Sequence, residues 1–216
     1  MKTVALVSAK GGTGKTSLSA ALAVAAQESG EKVFCIDMDS QGSLSSWGDR
    51  RAAELPPVDR IDPGRLAAAL AGLDAAGFTL VVIDTAGHDS PAAAAAMKAA
   101  DLCLIPARPS ALDIEAARPT MGTLARLGRP FAFVLNSCPP GRTSRPADAS
   151  RALGLLGVLA QPFVTQRADH VDAIGLGLGV TELDANGKAA DEVRQLWQWI
   201  SKKLEGTNHG KIKAVA

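Results

Sequence analysis

Residues Ala9-Lys10-Gly11-Gly12-Thr13-Gly14-Lys15-Thr16 directly follow Ser8 and the apolar run Val4-Ala5-Leu6-Val7. A short buried strand that breaks into glycines and enters a helix at Gly-Lys-Thr is typical of a phosphate-binding loop. Glycines let successive backbone N–H groups converge on phosphate oxygens, while the lysine reaches the terminal phosphates and the threonine hydroxyl can ligate Mg²⁺. The pattern predicts that the phosphates are held by Gly11, Gly12, Thr13, Gly14, Lys15, Thr16 and Ser17.

Apolar runs alternate with helical patterns along the rest of the chain. Strands are predicted at residues 3–8, 32–36, 79–83, 101–105 and 131–135, with a weaker one at 159–164. Helices are predicted at residues 15–29, 63–75, 91–99, 114–127, 147–156, 168–174 and 189–204. Most strands are continuous apolar runs, as expected where both faces of a parallel sheet are covered. The alternation predicts an α/β fold of the P-loop NTPase type, a doubly wound, mostly parallel sheet with helices on both faces.

The length of 216 residues suits one such domain. We expect a single P-loop ATPase domain over residues 1–205 and a flexible C-terminal tail over residues 206–216, since chain ends commonly fray. The net charge of +1 favours no polyanionic partner, so any DNA contact has to come from a local basic patch.

The cysteines and the hydropathy indicate the compartment. Cys35, Cys103 and Cys138 are odd in number, lie in or beside apolar runs and fit no metal-ligand spacing, so we expect reduced, buried thiols. No apolar run approaches the roughly 20 residues of a membrane helix, and no signal peptide precedes the first strand. The sequence therefore predicts a cytoplasmic protein with no membrane partner.

Two acidic motifs follow predicted strands. Asp37-Met38-Asp39 closes the second strand, and Asp84 ends the apolar run of the third. An aspartate in the latter position is the Walker-B arrangement, in which the carboxylate holds Mg²⁺ through its water shell. With the phosphate loop upstream, the motifs predict that a Mg²⁺ ion is held by Thr16 and Asp84. The segment Asp37-Met38-Asp39-Ser40-Gln41 resembles the switch I loop of ParA ATPases, and this resemblance implies that Asp37 and Asp39 belong to the same Mg²⁺ site.

The form Lys10-Gly11-Gly12-Thr13-Gly14-Lys15-Thr16, with Ala9 in place of the usual first glycine, resembles the deviant Walker-A motif of the ParA/MinD ATPases. The resemblance implies ATP and Mg²⁺ as cofactors. It also implies that Lys10 crosses the interface of an ATP-bound homodimer, that Asp39 orients the attacking water, and that Lys15 acts with them in catalysis. Asn136, which ends the fifth strand, matches an asparagine that contacts adenine in that family.

Within this family the chain resembles partitioning ATPases that bind the nucleoid. No helix-turn-helix segment precedes its phosphate loop, so operator binding is not expected. The resemblance implies nonspecific DNA as one partner and a ParB-like or cargo-adaptor protein as another. Arg167 and Lys188 match the region where the family grips DNA, and Arg194 and Lys202 share a basic helix face. A merely solvated basic face explains the last two residues equally well.

The sequence also bears on two alternative functions and on the role of one histidine. A MinD-like ATPase that cycles on a membrane needs a terminal amphipathic helix, and residues 206–216 are too short and too polar for one. An ATP-dependent amide-forming synthase shares the phosphate loop and stays open, although the resemblance of the segment Asp37-Met38-Asp39-Ser40-Gln41 to ParA proteins favours a ParA-type protein. A sensor role for His88, next to the Asp84 motif, also stays open.

Overall fold

The computed structural model describes residues 1–87, 90–141 and 143–212, with the backbone alone over 207–212. His88, for which a sensor role was open, lies outside the described residues. The strands are β1 (Lys2–Leu6), β2 (Val33–Asp37), β3 (Val58–Arg60), β4 (Leu80–Asp84), β5 (Leu102–Ala107) and β6 (Phe131–Leu135). They form one parallel sheet in the order β3-β2-β4-β1-β5-β6, which confirms the predicted fold class.

Helices cover both faces of this sheet. They are α1 (Lys15–Glu28), α2 (Ser43–Arg50), α3 (Leu66–Ala75), α4 (Pro91–Ala99), α5 (Ala111–Arg126), α6 (Arg145–Gly154), α7 (Ala168–Gly175), α8 (Val180–Leu183) and α9 (Lys188–Ile212). Apolar residues of α1, α2, α7, α8 and α9 pack with one set of strand side chains, and those of α3 to α6 with the other. Because successive strand residues face opposite sides, continuous apolar strands supply both cores.

The predicted strand at 159–164 is wrong as a strand. The backbone N–H of Ala160 donates to the Phe133 carbonyl at 2.8 Å, and that of Val164 donates to the Leu135 carbonyl at 2.9 Å, so the segment follows β6. Pro162 lies between them and has no N–H to donate, which interrupts the ladder. Only isolated bridges form there. The strand that the sequence did not predict is β3, at the opposite edge of the described sheet.

The three thiols lie where the apolar pattern placed them. Cys35, Cys103 and Cys138 are buried and free, and burial raises the pKa of each to about 12. Such thiols stay protonated at neutral pH and are poor nucleophiles. They act as small core residues.

The last helix runs to Ile212, beyond the predicted end at Leu204. Its apolar stripe is buried as the helical spacing predicted, with Val193, Leu196 and Ile200 fully enclosed. The division at residue 205 into a domain and a flexible tail stays a prediction. Over the described part of the chain, no helix has both the length and the hydropathy that crossing a bilayer requires.

One clamp joins α2 to α7 and the turn that follows α7. The Trp47 indole Nε1 donates to the Leu178 carbonyl at 3.0 Å, and Arg50 donates to the Ile174 carbonyl at 3.2 Å. The Arg51 guanidinium stacks over the Trp47 ring, 4.7 Å from its centre. Trp47 is completely buried, so these contacts fix α2 against the C-terminal part of the domain.

Candidate nucleotide site

Three neighbouring strands end at the same edge of the sheet. β1 leads into the phosphate loop (residues 9–16), and its Leu6 lies in register with Asp84, which in turn lies in register with Asp37. Carboxyl ends of parallel strands share an edge, so both aspartates lie beside the loop. The predicted phosphate-binding and metal-binding residues are therefore assembled in one place.

The phosphate loop requires its glycines. Gly14 precedes α1 with φ +91°, a left-handed conformation, and a side chain there would overlap the Asn136 amide. Gly87, after β4, approaches the loop so closely that a Cβ atom would lie 2.6 Å from Gly11 Cα. The segment after β4 and the phosphate loop thus touch backbone to backbone.

Lys15 and Thr16 face the acidic strand ends from the first turn of α1. The Thr16 hydroxyl donates to Asp84 Oδ2 at 2.6 Å, and the Ser19 hydroxyl lies 3.3 Å from Asp84 Oδ1. Burial raises the pKa of Asp84 to about 7, with the hydrogen bond from Thr16 opposing the shift and the charge of Asp37 adding to it. Burial lowers the pKa of Lys15, an effect that the charges of Asp84 and Asp39 oppose.

This donor set fits a magnesium ion that is bound together with phosphates. Among the described residues no group of three or more His, Cys, Asp or Glu side chains could hold a metal by itself. Mg²⁺ usually takes one or two protein oxygens and fills its octahedron with waters and substrate phosphates. A threonine hydroxyl 2.6 Å from a buried carboxylate whose pKa is raised, beside a phosphate loop, supplies that kind of partial site.

Asp37 and Asp39 organise the acidic loop (residues 38–42) between β2 and α2. The Asp37 carboxylate accepts from the Asp39 N–H at 3.0 Å and from the Ser45 N–H and hydroxyl at 2.8 and 2.9 Å. Asp39 Oδ1 accepts from the Gln41 N–H at 3.0 Å. The carboxylate of Asp37 is thus committed to loop bonds, whereas Asp39 lines the cavity next to Lys15 and Thr16.

Lys10 points away from Lys15. Its ammonium Nζ lies 2.7 Å from Asp113 Oδ2 on α5, while Lys15 Nζ donates to the backbone carbonyl of Lys10 at 3.3 Å. Burial of Asp113 opposes ionisation, but hydrogen bonds from Lys10 and Ser110 outweigh it and lower the pKa of the carboxyl. The Lys10 side chain is 37% exposed, so a second cation stands at the rim of the loop.

Two adjacent cavities share Gly12, Gly14 and Ser17. The phosphate-side cavity, about 560 Å³, also contains Lys15 and Asp39. The base-side cavity measures about 360 Å³ and is lined further by Leu18, Arg108, Asn136, Ser137, Thr165, Gln166, Arg167, His170 and Val171. Together they form a trough along the phosphate loop, and its lining of cations, hydroxyls and amides suits a nucleoside triphosphate.

Asn136 lies at the junction of the trough, where the sequence predicted a base contact. Its Nδ2 donates to the Thr13 carbonyl at 2.8 Å, and its backbone N–H donates to the Ala107 carbonyl at 2.9 Å. With the amide nitrogen bound to the loop, the amide oxygen is left as an acceptor, which suits the amino group of adenine.

Replacing Asn136 with alanine is expected to weaken ATP binding about tenfold and to lower the free energy of unfolding by about 1–3 kcal/mol, because the buried Thr13 carbonyl loses its donor. Titration with ATP and thermal unfolding measure the two effects. Asn186→Ala, at an exposed position, is the matched control. Unchanged ATP affinity in the Asn136 variant would contradict the assignment.

Sequence reasoning missed two residues of the trough. The Arg108 guanidinium donates to the Gly12 carbonyl from the loop between β5 and α5, and His170 lines the base-side cavity from α7. The buried Nε2 atom of His170 has no hydrogen-bond partner within the described residues. Burial lowers the pKa of this imidazole, with the charge of Glu192 opposing the shift. Scattered single residues without motif spacing carry no signal that could have identified them.

The predicted DNA-binding residues differ in whether their charges already have partners. Arg167 lines the base-side cavity and pairs with Glu192 at 2.6 Å. Arg194 lies 3.5 Å from Glu28 and donates to the Ala185 carbonyl at 2.6 Å. Lys188 and Lys202 are exposed on α9, and their spacing at the helical repeat puts both on its outward side.

A parallel sheet with a phosphate loop between its first strand and a buried helix, and with aspartates ending two neighbouring strands, defines a P-loop nucleotide-binding protein. The sequence profile of one such family, described as the CobQ/CobB/MinD/ParA nucleotide binding domain, matches residues 4–197. The chain belongs to this family of P-loop ATPases, as its resemblance implied.

Relatives and solved structures agree with that membership. The chain is 32% identical over 209 residues to the maintenance of carboxysome distribution protein A of Gloeobacter kilaueensis, covering 94% of each chain. It is also 32% identical to the protein of the same name from Halothiobacillus neapolitanus, over 90% of this chain and 94% of that one. The septum site-determining protein MinD of Pyrococcus horikoshii, solved with Mg-ADP, shares the fold with a TM-score of 0.76 at 19% identity, covering 95% of this chain and 98% of that one.

Proposed function

We propose that this chain is a ParA-like ATPase that forms a sandwich dimer with ATP, binds DNA nonspecifically and positions a cargo on the nucleoid. The observation that carries the proposal is Lys10. It belongs to the phosphate loop, yet its ammonium lies against Asp113 at the exposed rim and not over its own phosphate-side cavity. A cation in that place has a use when a second subunit brings its nucleotide to the rim.

In the proposed reaction, water attacks the γ-phosphorus of ATP and the bond to the β–γ bridging oxygen breaks. The backbone N–H groups of the loop and Lys15 hold the charge on the phosphoryl group, and Lys10 of the other subunit adds a charge as an arginine finger does. Asp39, at the wall of the phosphate-side cavity, accepts a hydrogen bond from the attacking water and orients it.

Mg²⁺ would be held by the Thr16 hydroxyl and, through water, by Asp84, with Asp37 and Asp39 ordering the surrounding loop. When bound, it neutralises charge on the β- and γ-phosphate oxygens. Asp84 supports this assignment because it accepts a hydrogen bond from Thr16, and Asp37 lies in register beside it on the neighbouring strand.

The relatives support a class of cargo, and the family resemblance supports an adaptor. Both carboxysome distribution proteins match nearly end to end, so a large protein complex is the cargo class we propose, linked by a ParB-like or cargo-adaptor protein. A plasmid is a second possible cargo, because the phosphate loop resembles that of the partitioning ATPases. A cytoplasmic, nucleoid-associated location and a flexible tail over residues 206–216 belong to the same proposal.

Binding to nonspecific duplex DNA is expected with ATP and not with ADP, and to weaken steeply with salt. One subunit is nearly neutral, so two local patches must align in a dimer before the attraction suffices. Lys188→Ala and Lys202→Ala should each weaken binding to all sequences alike. Each should also reduce the slope of the logarithm of the binding constant against the logarithm of salt concentration by about 1 for every phosphate that the lysine no longer neutralises. Fluorescence anisotropy at two salt concentrations measures both quantities.

Lys98→Ala is the matched control, because Lys98 is exposed on α4, on the opposite face of the sheet from α9. Arg167→Ala and Arg194→Ala test the two arginines that already have acidic partners. Binding that is absent in every nucleotide state, or indifferent to nucleotide, would sink the nucleoid proposal. An ATP-dependent amide-forming synthase would then be the better account.

A further inference from the structure

Arg60 ends the edge strand β3 and reaches the acidic loop from outside. In the sheet it lies in register with Asp37, the last residue of β2. Its guanidinium Nη2 donates to the Ser40 carbonyl at 3.0 Å and lies 3.4 Å from the Asp39 carbonyl oxygen. The side chain thus spans the backbone of the residue that is proposed to orient water.

The loop leaves room for this side chain. Gly42 has φ +65°, and a Cβ atom there would lie 3.1 Å from Arg60 Nη1. The Gly42 N–H donates to the Asp39 carbonyl at 3.0 Å, which closes a turn over residues 39–42. The guanidinium therefore packs on the open face of a tight turn.

The turn that carries Asp39 is held by hydrogen bonds from two strands, β2 on the side of the sheet interior and β3 on the side of the sheet edge. From inside, Asp37 accepts from the Asp39 N–H at 3.0 Å. From outside, Arg60 binds the carbonyl end of the same turn. We infer that Arg60 is a positioning residue for hydrolysis, which fixes the turn so that the Asp39 carboxylate stays at the wall of the phosphate-side cavity. This inference rests on the proposed function of Asp39.

An arginine suits this task better than a lysine. Its planar fork presents several N–H donors in a fixed geometry and can bind two neighbouring carbonyl oxygens, whereas an ammonium is a single flexible point charge. Arg60 contributes to the walls of two outer grooves and not to the lining of the phosphate-side cavity. Its loss should therefore change the rate of the chemical step and leave ATP binding intact.

Arg60→Ala is expected to lower kcat by about ten- to a hundredfold, the scale on which loss of a supporting contact or misplacement of a reacting group slows an enzyme, while the Kd for ATP stays within about twofold, as for a residue outside the binding wall. Arg60→Lys should recover part of the rate. Arg65→Ala removes an equal charge from an exposed site five residues away and is the matched control. Amide hydrogen exchange should rise at Gln41 and Gly42 in Arg60→Ala, and thermal unfolding checks that the variant is folded.

A second comparison tests whether Arg60 acts through Asp39. The double variant Asp39→Ala with Arg60→Ala should hydrolyse ATP no more slowly than Asp39→Ala alone. An Arg60→Ala protein with unchanged kcat, or with a loss that adds fully to that of Asp39→Ala, would overturn the inference. Failure of the unaltered chain to hydrolyse ATP would instead overturn the proposed function, so the two failures are distinguishable.

Discussion

Replacing Asp39 with alanine is expected to give a protein that binds and retains ATP but releases phosphate on the order of a hundredfold more slowly, the scale of losing a general-base or water-orienting group. The carboxylate lies at the wall of the phosphate-side cavity and is held there by the acidic loop. Its removal takes away the acceptor for the attacking water without touching the loop that holds the phosphates.

Filter binding of labelled ATP and a phosphate-release assay measure the two halves of this expectation. Lys15→Ala is the contrasting variant and should lose ATP binding itself, because its ammonium is the buried cation of the phosphate loop. Asp49→Ala removes an exposed carboxylate from α2 and should behave as the unaltered chain does. Normal hydrolysis by the Asp39 variant would remove that residue from the mechanism.

Lys10→Ala is expected to abolish dimerisation with ATP and to lower hydrolysis by on the order of a thousandfold or more, in the range known for a charge supplied in trans. In the proposed mechanism Lys15 holds the subunit's own phosphates, so we expect the function of Lys10 to depend on a partner. Sedimentation of Asp39→Ala should show a dimer with Mg-ATP and a smaller species with ADP, and adding Lys10→Ala should leave the smaller species in both.

Asp113→Asn separates the ion pair of Lys10 with Asp113 from its proposed contact with the nucleotide of the other subunit. It removes the charge 2.7 Å from the ammonium but leaves Lys10 itself in place, so dimerisation should persist. If the Asp39→Ala protein stays monomeric with every nucleotide, the trans role of Lys10 is wrong.

Most of the sheet and the centre of the site could be predicted from the sequence. The strands that became β1, β2, β4, β5 and β6 are nearly continuous apolar runs, which only a sheet covered on both faces accommodates. The phosphate loop and Asp84 could be predicted because each chemical group has a fixed offset from the end of a strand. Their predicted roles still await the experiments above.

The edge of the sheet could not be predicted in the same way. β3 is three residues long, and Asp59 and Arg60 in it are exposed, so it has no apolar pattern to detect. α2 begins in a serine-rich segment and buries only Leu44 and Trp47, too few for a clear helical repeat. Both elements depend on tertiary contacts, and the positioning contact of Arg60 depends on both.

The clamp between α2 and α7 has a consequence for how the trough responds to its occupant. α2 carries Ser43 and Ser46 of the phosphate-side wall, and α7 carries His170 and Val171 of the base-side wall. Since Arg50 binds α7 and Trp47 binds the turn after it, we expect the two walls to move together. Adenosine alone, or triphosphate alone, would have to order both walls while it contacts only one of them. A complete nucleotide contacts both walls for the same entropic cost, so we expect its base and its phosphates to bind cooperatively.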